Sequence, residues 1–485
     1  MSTRLDDQIR ALMQQVVDES PAPPPTPLGP AVHPEPLRLL PNWVVAMAAA
    51  VAVLVLVGGA AMLFGGQAEE PTVDPATDNS LAPVTTLASP ATTTPEAITS
   101  EPPLATGSPG WRRVGADAAA STLELYGVAP LADGLIAVGV AVGEDGRIDG
   151  AILTSIDGVE WARVAEDDDA LTTGAVLLEG GVIETASGLV AIGGSCPESP
   201  CGIRPSVWFS SDGAAWELIP HDPAVFGSQG WIADAVVTDA GVVAVGLRFD
   251  DSGSGFAPAV WSSPDGLAWT LDWTGAVQPV FENQGMAIIN GNGFSMMEAV
   301  TVTTEGNLVA VGSACDVSDA QYECSATVWT SVDGNVWNRA PHDASVFSSD
   351  TPGSHTVMTD VATSHETLVA VGTDNGTAAV AWMSHDGVTW IRLELPEAMV
   401  QTAELSVITA MADGFLAAGP GWAGSPNHPI ATVWASSDGS TWSETSELGI
   451  GIVAAIIPGG PGIAVGNDPS DETGAIWIPP KNEDR

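Results

Sequence analysis

The chain has 485 residues, with 13 basic and 60 acidic side chains, a net charge of −47 and a pI near 4.1. Such a surface repels nucleic acid and other anionic polymers, so no nucleic-acid partner is expected. The sequence also lacks a phosphate-binding loop and a dinucleotide-binding glycine pattern.

The first 20 residues contain apolar side chains at helical spacing. Thr3 and Asp6 have the spacing of a capping box. The apolar positions are Leu5, Ile9, Leu12, Met13, Val16 and Val17. Residues 1–20 are therefore predicted to form a cytoplasmic amphipathic helix, too acidic to favour an anionic membrane surface. This helix either docks a cytoplasmic protein partner or only orients the membrane segment, and residues 21–42 form a Pro-rich tether.

A single apolar segment comes after the tether. Residues 43–64 carry no charge and are rich in Ala, Val and Leu. A helix of this length extends about 33 Å, enough to cross a hydrocarbon core of about 30 Å. A signal peptide fits less well, because both the leader and the apolar run are too long. Since Arg4, Arg10 and Arg38 precede the segment and acidic residues come after it, the N-terminus is predicted to be cytoplasmic and the C-terminal domain extracytoplasmic.

The rest of the chain divides into a stalk and a repetitive domain. Residues 65–109 are rich in Pro and Thr and are predicted to be a disordered stalk. Residues 110–480 repeat the pattern Ser-x-Asp-Gly-x-x-Trp and close variants, and residues 481–485 are a tail. An Asp-Gly pair between two β-prone runs predicts a hairpin. The aspartates of the six turns are Asp157, Asp212, Asp265, Asp333, Asp386 and Asp438.

Each hairpin is preceded by an apolar run that ends in glycine and by one more β-prone run. Four strands in a unit of about 50 residues are typical of a propeller blade. A seventh unit near the C-terminus lacks its Trp-bearing outer strand, and Trp111–Val114 copies the outer strand Trp161–Val164. Trp111–Val114 is therefore predicted to complete blade seven, which leaves no exposed sheet edge. The predicted fold class is all-β, a seven-bladed β-propeller ectodomain preceded by one transmembrane helix and disordered linkers.

The repeated turn resembles the Asp-box, or BNR repeat, of sialidase-like β-propellers, although each copy lacks one residue between Asp and Gly. In that family the Asp-box is a structural turn remote from the active site. The resemblance therefore implies that the six aspartates cap their turns by accepting backbone N–H bonds, rather than bind calcium or catalyse. It also implies a glycoside hydrolase with three arginines, a tyrosine with a glutamate partner and an aspartate acid/base.

The sequence does not obviously supply that catalytic set. Four arginines stand two residues after a repeated tryptophan, which is a position on the outer strand: Arg113, Arg163, Arg339 and Arg392. The repeated tryptophans are expected to pack between blades. Tyr322 falls between two cysteines, and Tyr126 lies on a predicted inner strand without an evident glutamate partner. The sequence therefore favours binding or scaffolding of an unidentified extracytoplasmic glycan or protein over catalysis. A sialidase-like glycoside hydrolase and a transmembrane sensor that signals through residues 1–20 are the alternatives.

The four cysteines form two close pairs. Cys196 and Cys201 are placed in the hairpin loop of blade two, and Cys315 and Cys324 in the equivalent loop of blade four. Such pairs predict two disulfides that staple their loops, as expected in an oxidising compartment. A zinc site is not favoured, because no CxxC spacing occurs and no histidine neighbours either pair.

Two matching loops come after the outer strands of the same two blades. One contains His221 and Asp222, and the other contains His342 and Asp343. Duplication of a two-blade unit explains the match without any use for the loops. The competing hypothesis is a paired ligand site on the loop face of the propeller.

Three carboxylates fall at similar points of the predicted inner strands, which line the channel of a propeller. They are Asp234, Glu298 and Asp360. They could face channel water, or together bind Ca²⁺, which prefers oxygen ligands. Carboxylate pairs also serve glycoside hydrolysis. No cofactor other than this calcium ion is suggested.

Overall fold

A computed structural model describes residues 111–114, 122–143, 146–164, 168–197, 202–249, 256–275, 294–318, 321–349, 354–402, 404–421, 429–457, 463–468 and 473–479. The predicted cytoplasmic helix, tether, transmembrane segment, stalk and tail lie outside these residues. In the part of the chain that the structure describes, no helix combines the length and the apolar character that crossing a bilayer requires.

The described residues form seven antiparallel sheets, each with four strands except the second, whose inner strand is split in two. In chain order, the strands up to the third blade are β1 (Arg112–Val114), β2 (Thr122–Leu131), β3 (Gly134–Val142), β4 (Ile148–Ser155), β5 (Ala162–Val164), β6 (Ala175–Leu177), β7 (Val182–Thr185), β8 (Gly188–Cys196), β9 (Arg204–Ser210), β10 (Glu217–Leu218), β11 (Gly230–Thr238), β12 (Gly241–Phe249), β13 (Phe256–Ser263) and β14 (Thr270–Thr274). Blade 1 is β2–β5, blade 2 is β6–β10 and blade 3 is β11–β14.

The remaining strands form blades 4 to 7. They are β15 (Phe294–Val302), β16 (Leu308–Ser318), β17 (Gln321–Ser331), β18 (Asn338–Arg339), β19 (Thr356–Ser364), β20 (Thr367–Asp374), β21 (Ala378–Ser384), β22 (Trp390–Arg392), β23 (Val407–Met411), β24 (Gly414–Gly421), β25 (Ile430–Ser436), β26 (Ser443–Ile450), β27 (Ile452–Ile457), β28 (Ile463–Asp468) and β29 (Thr473–Ile478). Short helices in the described connections between blades are α1 (Asp169–Thr172), α2 (Pro223–Phe226), α3 (Ala344–Phe347) and α4 (Glu397–Val400).

The seventh blade is completed by the first strand of the domain, as the sequence predicts. Strand β1 pairs antiparallel with β29, with Arg112 opposite Ile478. The Arg113 side chain also forms an ion pair with Asp468 on β28, two strands further in. Because the outer strand of the last blade comes from the start of the domain, the two ends of the ring hold each other. The predicted all-β, seven-bladed β-propeller is confirmed.

The repeated tryptophans pack between neighbouring blades. On the third strands, Trp208, Trp261 and Trp382 are fully buried. Trp382 of blade 5 packs in one cluster with Val311 and Val328 of blade 4. The indole N–H groups of these three residues donate to carbonyl oxygens of α1, α2 and α3 respectively, at 2.7–2.9 Å. Each helix lies in the connection from the preceding blade, so the indole joins two blades by packing and by a hydrogen bond.

The glycine that ends each predicted apolar run is explained by the path of the inner strand. On Gly312, a Cβ atom would lie 2.2 Å from the carbonyl oxygen of Met296 on the neighbouring inner strand. The corresponding distances are 1.9–2.3 Å at Gly139, Gly193, Gly246, Gly372, Gly419 and Gly466. This close approach accompanies a β-bulge that puts one extra residue into the inner strand of blades 1, 3, 4, 5 and 7.

Candidate functional site

The inner strands surround a central cavity of about 290 Å³. The bulged residues line it in five blades: Tyr126, Ala233, Glu298, Thr359 and Ala454. A bulge re-aims the side chain of its extra residue. The same offset in five blades therefore directs five side chains at one space.

The cavity lining is acidic. Five carboxyl groups contribute to it: Glu179, Asp234, Glu298, Asp360 and Glu404. Among the described lining residues there is no lysine, arginine or histidine. Burial raises the pKa of Asp234 and Glu404 to about 7 and that of Glu298 to about 8. Burial, with the nearby charge of another carboxylate, raises the pKa of Glu179 and Asp360 to about 8.

Two of the three carboxylates singled out in the sequence hold neighbouring inner strands together. Asp234 of blade 3 accepts a 2.8 Å hydrogen bond from the backbone N–H of Val300 in blade 4. Asp360 of blade 5 accepts one of 2.7 Å from Ile408 in blade 6. In both, the other carboxylate oxygen accepts the N–H of the next residue in the chain. These contacts fix the register between blades and occupy both oxygens.

The third carboxylate, Glu298, has a different environment. It is 5% exposed, and both carboxylate oxygens are buried without a hydrogen-bond partner. A buried polar group that lacks a partner costs free energy, and such groups are uncommon in folded proteins. Both oxygens of Glu298 are therefore buried acceptors that a ligand could satisfy.

The arrangement of these three carboxylates gives no support to the calcium alternative. Within the described ranges, no group of three or more His, Cys, Asp or Glu side chains is placed to hold a metal ion. Two of the three carboxylates instead bond to backbone N–H groups of their own and the neighbouring blade, which holds them against the inner strands.

Spacing in the sequence did not reveal two further cavity carboxylates, Glu179 and Glu404. Glu179 lies between β6 and β7, and Glu404 lies three residues before Val407, the first residue of β23. The strand pattern is interrupted at both places, so their alignment with the inner strands of other blades could not be recognised.

The sequence-based expectation that Tyr126 lacks a glutamate partner is wrong. Its hydroxyl donates a 2.5 Å hydrogen bond to Oε2 of Glu124, two residues earlier on β2. The two residues are only two apart in the chain, and this short spacing was the signal that could have found the pair. Tyr126 lines the cavity, and Glu124 bonds to it from outside the described lining residues.

The two aspartates of the twin loops cap short helices. The Asp222 side chain accepts the backbone N–H of Ala224 at 2.9 Å, and Asp343 accepts that of Ser345 at 3.0 Å. Both residues are thereby N-caps, of α2 and α3. The loops leave blades 2 and 4, with blade 3 between them.

The two loop histidines pack against the phenylalanines of the same helices. His221 stacks on Phe226 and His342 on Phe347, with ring centroids 5.9 and 6.0 Å apart. Burial lowers the pKa of both histidines, and a nearby arginine lowers it further. Each histidine thus packs within its own loop.

The six repeated aspartates make the contacts of turn caps. In every copy, Oδ1 accepts the backbone N–H groups two and three residues later. The serine two residues before accepts the glycine N–H, and the tryptophan N–H donates to the glycine carbonyl. At Asp438, bonds from Thr441 and Ser440 hold the pKa at about 2.

Replacing Asp438 by alanine is expected to reduce the free energy of unfolding by about 1 kcal/mol, as for other lost caps. The reason is that two backbone N–H groups lose their acceptor. Asp438→Asn retains an acceptor oxygen and serves as the matched variant. Denaturant unfolding followed by circular dichroism measures both, and equal losses in the two variants would contradict the capping role.

One predicted disulfide is present, but it does not staple a loop. Cys315 and Cys324 are bonded, with Cα atoms 4.0 Å apart. They face each other in register on the extended strands β16 and β17. The hairpin loop predicted there is therefore largely strand. Cys196 ends β8 and is also disulfide-bonded, whereas Cys201 lies outside the described residues.

The outer-strand arginines are engaged away from the cavity. Arg392 forms an ion pair with Asp374 two strands further in, as Arg113 does with Asp468. Arg339 donates to the Thr327 hydroxyl. No three-arginine cluster lines the cavity in the described part of the chain.

No family model matches the chain, and no curated protein matches it. Among solved structures, the fold is similar to a mutant of Trypanosoma rangeli sialidase with trans-sialidase activity: TM-score 0.39, 13% identity, 75% of this chain and 55% of that one covered. It is also similar to a mutant of Aleuria aurantia lectin in complex with α-methyl-L-fucoside, with a TM-score of 0.36, 12% identity, and 68% of this chain and 96% of that one covered. A third similar structure is an endo-arabinase from Bacteroides thetaiotaomicron, with a TM-score of 0.31, 11% identity, and 57% of this chain and 96% of that one covered. The chain thus spans about half the length of the sialidase. These similarities assign neither a family nor an activity.

Proposed function

We propose that the chain is a single-pass membrane protein whose extracytoplasmic β-propeller is a binding module, and that its ligand enters the central cavity. The observation that carries this proposal is Glu298, a buried carboxylate without a partner that borders a cavity of about 290 Å³. That volume is near the lower end of small-molecule sites, about 300 Å³. A ligand that bonds to Glu298 would offset the cost of burying it.

The sequence supports the proposed location. The uncharged segment 43–64 has the length of a bilayer span, with arginines on one side and acids on the other. The disulfide between Cys315 and Cys324 fits an oxidising compartment outside the cytoplasm. The turn pattern supports kinship with the Asp-box propellers.

Binding is favoured over sialidase chemistry because of the charge of the lining. A sugar carboxylate would find no described cationic side chain in the lining to pair with, and burying an unpaired anion is costly. The second candidate, hydrolysis of an uncharged glycoside, is favoured by one observation, the hydrogen bond from Tyr126 to Glu124 beside the cavity.

A variant that fills the cavity tests the proposal. The bulged residue Ala454 lines the cavity, so Ala454→Phe should place a ring inside it. Val388→Phe, on an exposed turn, is the matched control. The full chain, purified in detergent, is screened against glycans and metabolites by thermal shift. A ligand at 100 times its Kd adds about 2.7 kcal/mol of stability. We expect at least one compound to raise the Tm of the wild type and of the control, but not of Ala454→Phe.

Two results would contradict the proposed binding site. One is that no compound shifts the wild-type Tm, and the other is that Ala454→Phe responds like the wild type. Release of a sugar by the wild type that is absent in Tyr126→Phe would instead favour the hydrolase.

A further inference from the structure

We propose that the ligand of the central cavity is a small organic cation, an aliphatic amine or diamine whose ammonium group bonds to Glu298. This inference rests on the proposed function and adds the chemical class of the ligand.

The acidic lining of the cavity favours a positively charged ligand. The described ionisable groups that line the cavity, other than the Tyr126 hydroxyl, are all carboxyl groups. Both carboxylate oxygens of Glu298 are buried, and no described hydrogen-bond donor contacts either of them. An ammonium group carries three donors and a positive charge, and charge-assisted hydrogen bonds are the strongest that a carboxylate forms. An organic cation thus supplies the positive charge and the hydrogen-bond donors that the Glu298 carboxylate lacks.

The cavity suits an organic cation better than a metal ion. The carboxylates of Asp234 and Asp360 are occupied by backbone N–H groups, and no described cluster is placed to hold a metal. Between the carboxyl groups the wall is aliphatic, with Val128, Val182 and Ile456 among its residues. Aliphatic wall between acidic positions suits a hydrocarbon chain that carries amino groups, whereas a hydrated metal ion gains nothing from it.

The cavity lining also suits a cation better than a neutral sugar. Sugar sites commonly offer an aromatic face and a mixture of donors and acceptors. Tyr126 is the single aromatic residue among the described lining residues, and its hydroxyl already donates to Glu124. The lining hydroxyls of Thr359 and Ser406 already donate to backbone carbonyl oxygens. The carboxylate of Glu298 is free to accept, and a diamine can bond to carboxylates from both of its ends.

The same groups make the binding depend on pH. Glu298 shares the cavity with Glu179, Asp234, Asp360 and Glu404, and Glu124 lies beside Tyr126. Burial raises the pKa of Glu298 to about 8, so at neutral pH an entering ammonium group displaces a proton. The affinity for an amine should therefore increase between pH 6 and pH 8.5, with release of protons.

The test uses the diamine putrescine and butanediol, its uncharged analogue with the same carbon chain. Binding to the full chain in detergent is measured by isothermal calorimetry at constant ionic strength, in two buffers of different ionisation enthalpy. We expect putrescine to bind with proton release and butanediol not to bind. Glu298→Gln keeps the shape of the side chain and should weaken putrescine by about tenfold or more. Glu217→Gln, on the exposed outer strand β10, should leave it unchanged.

The outcomes distinguish this inference from the proposed function. If putrescine does not bind, or binds Glu298→Gln as well as the wild type, the amine inference is wrong. If a neutral saccharide binds instead and Ala454→Phe abolishes its binding, the cavity is a binding site but not for a cation. If no compound binds, both proposals fail. Thermal unfolding of Glu298→Gln, expected at or above the wild-type temperature, verifies that the variant is folded.

Discussion

Replacing Trp382 by alanine is expected to lower the free energy of unfolding by about 3–5 kcal/mol, the usual cost of deleting a buried indole. Trp382 is fully buried, between the sheets of blades 4 and 5. Its N–H donates to the Val346 carbonyl at 2.7 Å. The substitution therefore leaves a cavity at a blade interface, and it leaves the Val346 carbonyl without this donor.

Trp382→Phe is the matched variant for this prediction. It retains most of the buried ring and loses mainly the hydrogen bond to Val346, so its loss should be nearer 1 kcal/mol. Urea denaturation of the full chain followed by circular dichroism gives both values. A loss below about 1 kcal/mol in the alanine variant would show that the indole does not hold the two blades together.

The protein is expected to become less stable as the pH increases from about 5 to about 9. Burial raises the pKa of five cavity carboxyl groups to about 7 or 8. At a pH between the ordinary and the raised pKa of these groups, the folded state binds more protons than the unfolded state. The free energy of unfolding therefore decreases as the pH increases. For Glu298, the difference between 4.5 and about 8 corresponds to about 5 kcal/mol.

Glu298→Gln isolates this contribution, because glutamine cannot ionise. Its free energy of unfolding should be close to that of the wild type near pH 5 and higher than that of the wild type above pH 8. Three histidines with lowered pKa values act in the opposite direction near pH 6, but they are common to both proteins and cancel in the difference. Urea denaturation at pH 5, 7 and 9 measures the difference, with Glu217→Gln as control. A difference that does not grow with pH would contradict the unpaired, buried state of Glu298.

The architecture of the propeller could be predicted because its signals are local or repeated. The contacts of Asp438 reach only three residues along the chain, so the residue types of the turn already define them. The similarity of Trp111–Val114 to Trp161–Val164 was enough to predict which strand completes the ring. The regular glycines, including Gly312, marked the second strand of each blade, although their reason, a carbonyl oxygen 2.2 Å from the absent Cβ, is visible only in three dimensions.

The chemistry of the cavity was decided by the tertiary structure. From the sequence, Asp234, Glu298 and Asp360 are equivalent carboxylates. In the folded ring, Asp234 and Asp360 each accept a hydrogen bond from a backbone N–H of the next blade. Glu298 is instead the extra residue of a bulge, which directs its side chain at the cavity, and no described donor contacts its carboxylate there. Hydrogen bonding of a buried carboxylate depends on what the neighbouring strand presents, and that strand is about 50 to 70 residues away in the chain. The sequence by itself determined the ring and its closure. The packing of the blades gave Asp234 and Asp360 backbone partners and left the Glu298 carboxylate without one.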